Sequence, residues 1–291
     1  MKALSIQIQR EFWEHRGLWM APLVIAAAML LTAAIFGSIH VNVGAEDSHY
    51  DGPNPPPVAE FMALAWALPF MLAAAIQGSA YLLDCLYAER RDRSILFWRS
   101  MPVTDARTVL VKLLVGLVLV PVGDFALAAA SGLAGSAILV LRNHALVLNG
   151  LSVVTLWNTA AWMQMQLIML YGLIAAMLWY APFAAYLMLV SVWARRSAYA
   201  WALLPPVLLV VLERMVFGTH YVSHIVNGGY NEFVHLAFDF QAAQAAGDSA
   251  YSLQRLTPAH LLASPRLCWG LAASAGMVVL AIRLRRDRDD S

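Results

Sequence analysis

Charged side chains are scarce in this chain of 291 residues: Asp, Glu, Lys and Arg make up 13% of it, whereas hydrophobic residues make up 61%. A soluble domain usually has about a quarter charged residues and about half apolar ones. The shortage of charge argues against an ordinary soluble domain and predicts that the chain lies in a lipid bilayer. The formal net charge of +1 says little about partners, and no nucleic-acid partner is expected.

Cysteine is almost absent, with only Cys85 and Cys268 in the whole chain. The two lie near the ends of different hydrophobic runs, on opposite predicted sides of the membrane, so a disulfide between them would have to cross it. The sequence therefore predicts no disulfide, no redox pair and no cysteine-based metal cluster.

The chain also lacks a nucleotide-binding loop. That loop has the pattern Gly, four residues, then Gly-Lys-Ser/Thr, and no Gly-Lys dipeptide occurs at any position of this chain. The sequence therefore predicts no ATP-binding site, no catalytic residues, no metal and no cofactor on this chain.

Long hydrophobic runs are what the sequence does contain. A bilayer core about 30 Å thick is crossed by roughly 20 apolar residues in a helix, and a helix satisfies its own backbone polar groups in lipid. Six runs are long enough, at about residues 18–39, 61–83, 113–141, 166–193, 199–217 and 267–282. The sequence predicts an all-α polytopic membrane protein, with six transmembrane helices in one domain that covers residues 1–291.

The first 16 residues interleave apolar and charged side chains, as where Phe12 and Trp13 stand between Arg10 and Glu14. This pattern predicts an amphipathic helix on the inner membrane surface, ahead of the first span.

Basic residues are unevenly distributed along the chain. If the N-terminus is cytoplasmic, 15 of the 19 Lys and Arg residues fall in cytoplasmic segments. Because Lys and Arg concentrate on the cytoplasmic side of membrane proteins, both termini are predicted to be cytoplasmic, in a bacterial-type inner (cytoplasmic) membrane.

One dense polar segment, residues 84–112, separates the second and third runs. Charge signs alternate along residues 89–93, and bulky apolar and aromatic side chains occupy residues 95–98. Pro102 then breaks the run, so that Thr104 or its neighbour can cap the next helix. Arg and Trp around an apolar centre are typical anchors of a protein interface. The alternative is an ordinary cytoplasmic loop whose aromatic side chains lie at the lipid interface.

The order of residues in this segment is specific: Tyr81-Leu-Leu-Asp84-x-Leu86-Tyr87-x-Glu89-Arg90-Arg91-Asp92-Arg93-Ser94-Ile95-Leu96-Phe97-Trp98-x-Ser100-x-Pro102-Val103-x-Asp105, followed by Val109-Leu110-x-Lys112-Leu113-Leu114. This pattern, together with the plan of six spans, resembles the permease subunits of ABC transporters of the type-2 exporter class. In that family the cytoplasmic segment between the second and third spans forms a coupling helix, which fits a groove on a separate ATPase subunit. A surface helix before the first span is also a family feature.

The resemblance implies a transport subunit rather than an enzyme. Its partners would be a cytoplasmic ABC ATPase subunit, which binds ATP and Mg, and a second permease copy or a homologous permease. The complex would move an unidentified hydrophobic or amphipathic substrate outward. The ATPase-coupling residues would be Glu89, Arg90, Arg91, Arg93, Phe97 and Trp98.

Four polar side chains in the predicted spans are candidates for a translocation pathway: Gln77, Asp124, Glu213 and Arg214. Asp124 lies about 12 residues into the third run, near mid-membrane, where an acid is costly and often functional. It could handle substrate or protons, or it could be a neutral or hydrogen-bonded acid between helices. Gln77 is expected to join two helices by a hydrogen bond. Glu213 and Arg214 point in different directions, towards partner helices, the outer interface or substrate.

Residues 218–264 form the largest predicted extracytoplasmic segment. His220 and His224 stand four residues apart, a spacing that can place two imidazoles on one metal in a helix. Histidines at the membrane interface explain the same pattern without a metal.

Two other functions are compatible with parts of the sequence. A membrane-embedded enzyme would need acids, histidines or nucleophiles clustered at one depth, whereas Asp84, Asp124 and Glu213 are predicted at different depths. An accessory or self-immunity permease component without net export would keep the same coupling segment.

Overall fold

The computed structural model of the protein describes residues 2–37, 58–91, 104–144, 147–148, 151–152, 157–194, 197–219, 229, 231–239 and 253–288. Within them the chain forms the helices α1 (Lys2–Glu14), α2 (Gly17–Phe36), α3 (Val58–Arg91), α4 (Asp105–Arg142), α5 (Thr159–Trp193), α6 (Ala198–Leu212), α7 (Pro258–Ala263) and α8 (Pro265–Arg288). Residues 231–237 are also helical. Two strands of two residues each, β1 (Val147–Leu148) and β2 (Leu151–Ser152), pair in an antiparallel hairpin.

Six of these helices are long and apolar enough to cross a membrane: α2, α3, α4, α5, α6 with its continuation to Val216, and α8. The predicted number of spans and the all-α class of the membrane domain are confirmed at this level. The predicted N-terminal helix is also present as α1.

Several spans are longer than the hydrophobic runs that predicted them. Helix α3 has 34 residues and α4 has 38, which corresponds to about 50 Å or more at 1.5 Å per residue. A bilayer core is only about 30 Å thick, so both helices extend beyond it. The flanks of the predicted polar segment therefore belong to α3 and α4, while the predicted coupling helix between them lies outside the described residues.

Thr104 caps the start of α4, as predicted. Its backbone is extended, and its side-chain oxygen accepts a hydrogen bond from the Arg107 amide at 3.4 Å. The cap lets the helix begin at Asp105, before the apolar run starts.

Helix α4 contains a π-helical turn at Val115–Leu119, directly before Pro121. Because proline has no amide hydrogen to donate, it disturbs the regular helical hydrogen bonds next to it. The Val120 amide bonds to the Val115 carbonyl five residues back, and such a wider turn absorbs the disturbance without ending the helix. The helix next to Pro121 therefore continues through a π turn.

Small residues allow α3 and α4 to approach closely. The Trp66 indole lies over Gly132 and Gly135, and a Cβ added to Gly135 would overlap the Trp66 ring. The same indole donates a hydrogen bond to Ser131 Oγ at 3.0 Å. Glycine is required at Gly135 because the ring occupies the space that any side chain would fill.

Part of the predicted outer segment packs against the side of a span. The Tyr171 hydroxyl donates to the Ala237 carbonyl at 3.2 Å, and the rings of Trp179 and Phe233 lie 5.8 Å apart. Tyr171 and Trp179 are well inside the 35-residue helix α5. Residues 231–239 therefore lie alongside α5 rather than beyond its end.

Candidate functional site

A cluster of buried charged side chains lies at the end of the bundle that carries α1, which we call the α1 end. Its members come from four helices: Glu11 from α1, Glu89 from α3, Lys112 from α4 and Arg285 from α8, each no more than 7% exposed. Charged residues are almost never buried this completely unless they are paired. With two partly exposed partners they form the charge network: Arg10, Glu11, Glu89, Asp105, Lys112 and Arg285.

Lys112 stands at the centre of the charge network. Its Nζ lies 2.9 Å from Glu11 Oε2 and 3.2 Å from Glu89 Oε1. The other carboxylate oxygen, Glu89 Oε2, lies 3.0 Å from Arg285 Nη1. A continuous series of ion pairs therefore links α1, α4, α3 and α8.

Two partly exposed members extend the charge network. Arg285 Nε donates to Asp105 Oδ1 at 3.2 Å, and Arg10 Nη2 lies 3.6 Å from Glu89 Oε1. Arg10 also pairs with Glu14 of the same helix, at 2.7 Å. Removing one partner of a buried pair typically costs about 3–5 kcal/mol, because the other charge is left uncompensated.

Tyr81 connects Glu11 to His15, which lies between α1 and α2. Burial alone would raise the pKa of Glu11, but Lys112 and the Tyr81 hydroxyl, which donates to Glu11 Oε2 at 2.8 Å, outweigh it and hold the pKa below its usual value. The His15 ring contacts Tyr81 edge-on, with the ring centres 5.0 Å apart. Burial and then the Lys112 charge lower the pKa of His15, so this histidine is neutral at neutral pH.

The end of α3 is also bonded to α5. The Arg90 guanidinium donates to the backbone carbonyls of Ser191 and Ala194, the latter at 3.1 Å. The Ser191 hydroxyl accepts hydrogen bonds from the amides of Leu86 and Tyr87 at 3.1 and 3.0 Å. Movement of this end of α3 must therefore carry α5 with it.

The structure separates the residues predicted to couple to an ATPase. Glu89 is buried in the charge network, and Arg90 is half-buried against α5. Arg91 is exposed, with its guanidinium carbon 5.9 Å from the centre of the Tyr87 ring. Three of the predicted residues lie outside the described part of the chain: Arg93, Phe97 and Trp98.

Sequence reasoning missed the partners of Glu89. Lys112 was considered only as part of the matched pattern and of the uneven distribution of basic residues. Arg285 was considered only among the basic residues of that distribution. A usable signal was Lys112 itself, because a single lysine at the start of an apolar run needs an acidic partner once its helix is buried. Glu11, in an apolar-rich N-terminal helix, offered the same signal.

A second polar contact joins α3 and α4 within the spans. The Gln77 side-chain amide donates to Asp124 Oδ2, as expected for a glutamine that joins two helices. Asp124 is 2% exposed, and the other polar atom of Gln77, its Oε1, is buried without a hydrogen-bond partner among the described residues.

Asp124 lies closer to the α1 end than its position in the run suggested. It lines one cavity with Leu18 and Leu23, which belong to the first two turns of α2. Helix α2 has 20 residues and spans about 30 Å. Because Asp124 lies beside the first two turns of α2, it is nearer to the α1 end of α2 than to the middle of that helix. Counting along the run overestimated the depth because α4 begins well before α2 does.

The other two pathway candidates lie elsewhere. Glu213 Oε1 accepts a hydrogen bond from the Thr219 hydroxyl at 3.0 Å, at the end of α6 away from α1. Arg214 is exposed in the same π-helical turn. The structure brings Gln77 and Asp124 together, whereas Glu213 and Arg214 lie apart from them.

In the described part of the chain, one group of three side chains could hold a metal ion, and two of the three are engaged in ion pairs. Glu11, Glu14 and His15 place ligand atoms within 4.8 Å of one another, but Glu11 pairs with Lys112 and Glu14 with Arg10. Cys85 is buried and Cys268 exposed, and both are free thiols, in agreement with the expected absence of a disulfide between them. The predicted metal candidates His220 and His224 lie outside the described residues.

Comparison of the chain with protein-family models, with curated proteins and with solved structures found no match.

Proposed function

We propose that this multi-pass membrane protein is a permease subunit of an ATP-driven exporter of the type-2 ABC class. Its partners would be a cytoplasmic ATPase that binds ATP and Mg and a second permease copy or homologue. The proposal places both termini in the cytoplasm of a bacterial-type cell, with the α1 end facing the ATPase. It rests on the sequence pattern at residues 81–114, and the six spans and the N-terminal helix are compatible with it.

The structural observation that supports the proposal is the position of the charge network. Glu89 lies three residues before the segment 92–103, Asp105 two residues after it, and Lys112 a further seven residues along α4. Both flanks are thus bonded into one buried group of ions that also includes α1 and α8. A force applied to the segment is delivered to several spans at once, which a coupling element requires.

The predicted coupling residues then take two different roles. Phe97, Trp98 and Arg93 would contact the ATPase, as the resemblance implies, and the exposed Arg91 would lie beside them. Glu89 and Arg90 would act as positioning residues, because their side chains bond to other helices of the same chain.

The resulting mechanism is mechanical. ATP binding draws two ATPase subunits together, and each ATPase moves the segment that it holds. Glu89 passes the displacement to α1, α4 and α8 through its ion pairs, and Arg90 passes it to α5. The spans then rearrange and release an amphipathic substrate to the outer side.

Co-purification tests the proposal. The unmodified chain, purified from its native membrane in mild detergent, is expected to bring with it a protein that has a phosphate-binding loop and hydrolyses ATP. Trp98→Ala should lose this protein and keep membrane insertion. Trp269→Ala is the matched control, because Trp269 is 78% exposed on α8 and lies outside the coupling segment.

Two results would contradict the proposal. One is the absence of an ATPase from both preparations under conditions that preserve membrane complexes. The other is equal recovery of the ATPase with Trp98→Ala and the unmodified chain, since the segment would then not hold it.

A further inference from the structure

A cavity of about 230 Å³ opens beside Asp124, between the start of α2 and the middle of α4. Among the described residues that line it, Asp124 is the only charged one and is 2% exposed, and Phe12 of α1 also lines it. Trp19 and Leu23, which also line it, are 44% and 46% exposed. Because these residues belong to a candidate membrane span, their exposed surfaces are expected to face lipid, and the cavity would then open sideways into the bilayer.

Asp124 has no cation beside it. Within the described part of the chain its polar partner is the neutral Gln77 amide, and no Lys, Arg or His pairs with it. An ionised carboxylate in apolar surroundings is strongly unfavourable without a compensating charge. The cavity is therefore complementary to a positively charged group, and no cation of the charge network acts on Asp124.

The size and wall of the cavity restrict the ligand. A volume of about 230 Å³ is below the roughly 300–1,000 Å³ of sites that enclose a drug-sized molecule. It accommodates a small ligand head group with the first part of a hydrocarbon tail. The rest of the tail would lie in the lipid beyond Trp19 and Leu23, where apolar groups are favoured.

We propose that the Asp124 cavity binds the ammonium head of a single-chain amphipathic amine, which enters sideways from the membrane leaflet at the α1 end. The inference that the amine binds depends only on the cavity. The further consequence, that the bound amine is exported, rests on the proposed function. The carboxylate of Asp124 accepts the ammonium hydrogens, and Gln77 holds the carboxylate in place from the other side. No covalent step is involved.

Gly123 makes a sharp test possible, since it lines the cavity and a methyl group added to it would meet no atom within 4 Å. Gly123→Leu therefore fills the cavity and leaves the carboxyl group in place. Asp124→Asn keeps the size of the side chain and an oxygen that accepts from Gln77, but removes the charge. Gly276→Leu is the matched control, because Gly276 on α8 has equally open space and lies outside this cavity.

The measurement is equilibrium binding of radiolabelled dodecylamine to the purified chain in phosphatidylcholine nanodiscs, without any ATPase. The unmodified chain and Gly276→Leu are expected to bind it saturably, above the background of empty nanodiscs, and unlabelled dodecanol should not displace it. Asp124→Asn and Gly123→Leu should each weaken binding at least about tenfold. Thermal unfolding of every variant identifies any that has lost its fold.

The proposal is overturned if the unmodified chain binds no more amine than empty nanodiscs do, if folded Asp124→Asn binds as well as the unmodified chain, or if dodecanol competes equally. Proton uptake at Asp124 without amine binding would likewise overturn the proposal and would identify Asp124 as a proton site. Since the assay contains no ATPase, failure of amine binding leaves the co-purification result untouched. Failure of co-purification would not contradict the proposed amine site.

Discussion

The ammonium group of Lys112 and the carboxylate of Glu89 lie 3.2 Å apart in the interior of the protein, one on each side of the segment 92–103 that separates α3 from α4. The ion pair joins α3 to α4, the two helices that flank this segment. Glu11 and Arg285 extend the same contact to α1 and α8.

Lys112→Met is expected to destabilise the protein strongly, because Glu11 and Glu89 would remain buried and would repel each other. The cost of breaking a buried pair is about 3–5 kcal/mol, so the midpoint of thermal unfolding in detergent should fall by roughly 5 °C or more. Arg283→Met, an exposed change on α8, should shift it little.

A second variant checks the cause. Glu89→Gln combined with Lys112→Met should be less destabilising than the sum of the two single changes, since the double variant removes both charges. Strict additivity would show that Lys112 stabilises the chain by some means other than this ion pair.

The stability of the α1 end should fall on acidification. The pKa of His15 is lowered in the folded state from its ordinary value of 6.5, so the unfolded chain binds a proton more readily than the folded one. The stability due to neutral His15 is therefore complete well above pH 6.5 and decreases as the pH falls below it. Glu11, whose pKa is lowered from 4.5, adds a further loss below about pH 4.5.

The midpoint of thermal unfolding, followed from pH 8 to pH 5, measures the histidine part of this effect. His15→Phe keeps an aromatic ring against Tyr81 and removes the titrating group, so its curve should be flatter over that range. Identical pH dependence in the two proteins would assign the effect to another group.

Arg90 and Arg91 are adjacent in sequence but should behave differently. Arg90→Gln removes the bonds to the Ser191 and Ala194 carbonyls, so it should lower thermal stability and weaken the coupling of ATP hydrolysis to transport while the ATPase stays bound. Arg91→Gln, at an exposed site, should keep stability and weaken association with the ATPase. Co-purification and thermal unfolding of both variants compare them, and loss of the ATPase with Arg90→Gln alone would reverse these roles.

Close contact between α3 and α4 depends on Gly135. Gly135→Ala places a methyl group where the Trp66 ring lies, and such overpacking typically costs about 1–3 kcal/mol. Thermal unfolding should detect the loss, whereas Gly276→Ala, with open space around it, should be neutral. A neutral result for Gly135→Ala would mean that the Trp66 ring can move aside.

Much of the fold follows from short stretches of sequence. The hydrophobic runs predict the six spans, the alternation in the first 16 residues predicts α1, and Thr104 marks the start of α4. These features could be predicted because hydrophobicity, helical periodicity and capping act between neighbouring residues.

The candidate site was predictable only in part. Glu89 and Arg90 were identified from their place in a pattern, and Gln77 from its expected bond to another helix. Their actual partners, Lys112, Ser191 and Asp124, were not identified, since each lies on a different helix. The depth of Asp124 was misplaced because the offset between α2 and α4 is set by packing, which no count along one run contains.

By itself the sequence determined that this chain lies in a membrane as six helices. Long apolar runs are unfavourable in water, and unpaired backbone groups are unfavourable in lipid. Both free-energy costs depend on residues that are close together in the sequence. The tertiary structure decided which charges meet. Whether Glu89 faces a partner protein, solvent or Lys112 depends on the rotation and offset of four helices. The free energy that sets this rotation and offset comes from contacts between residues far apart in the chain, such as Glu89 and Arg285, which are 196 positions apart.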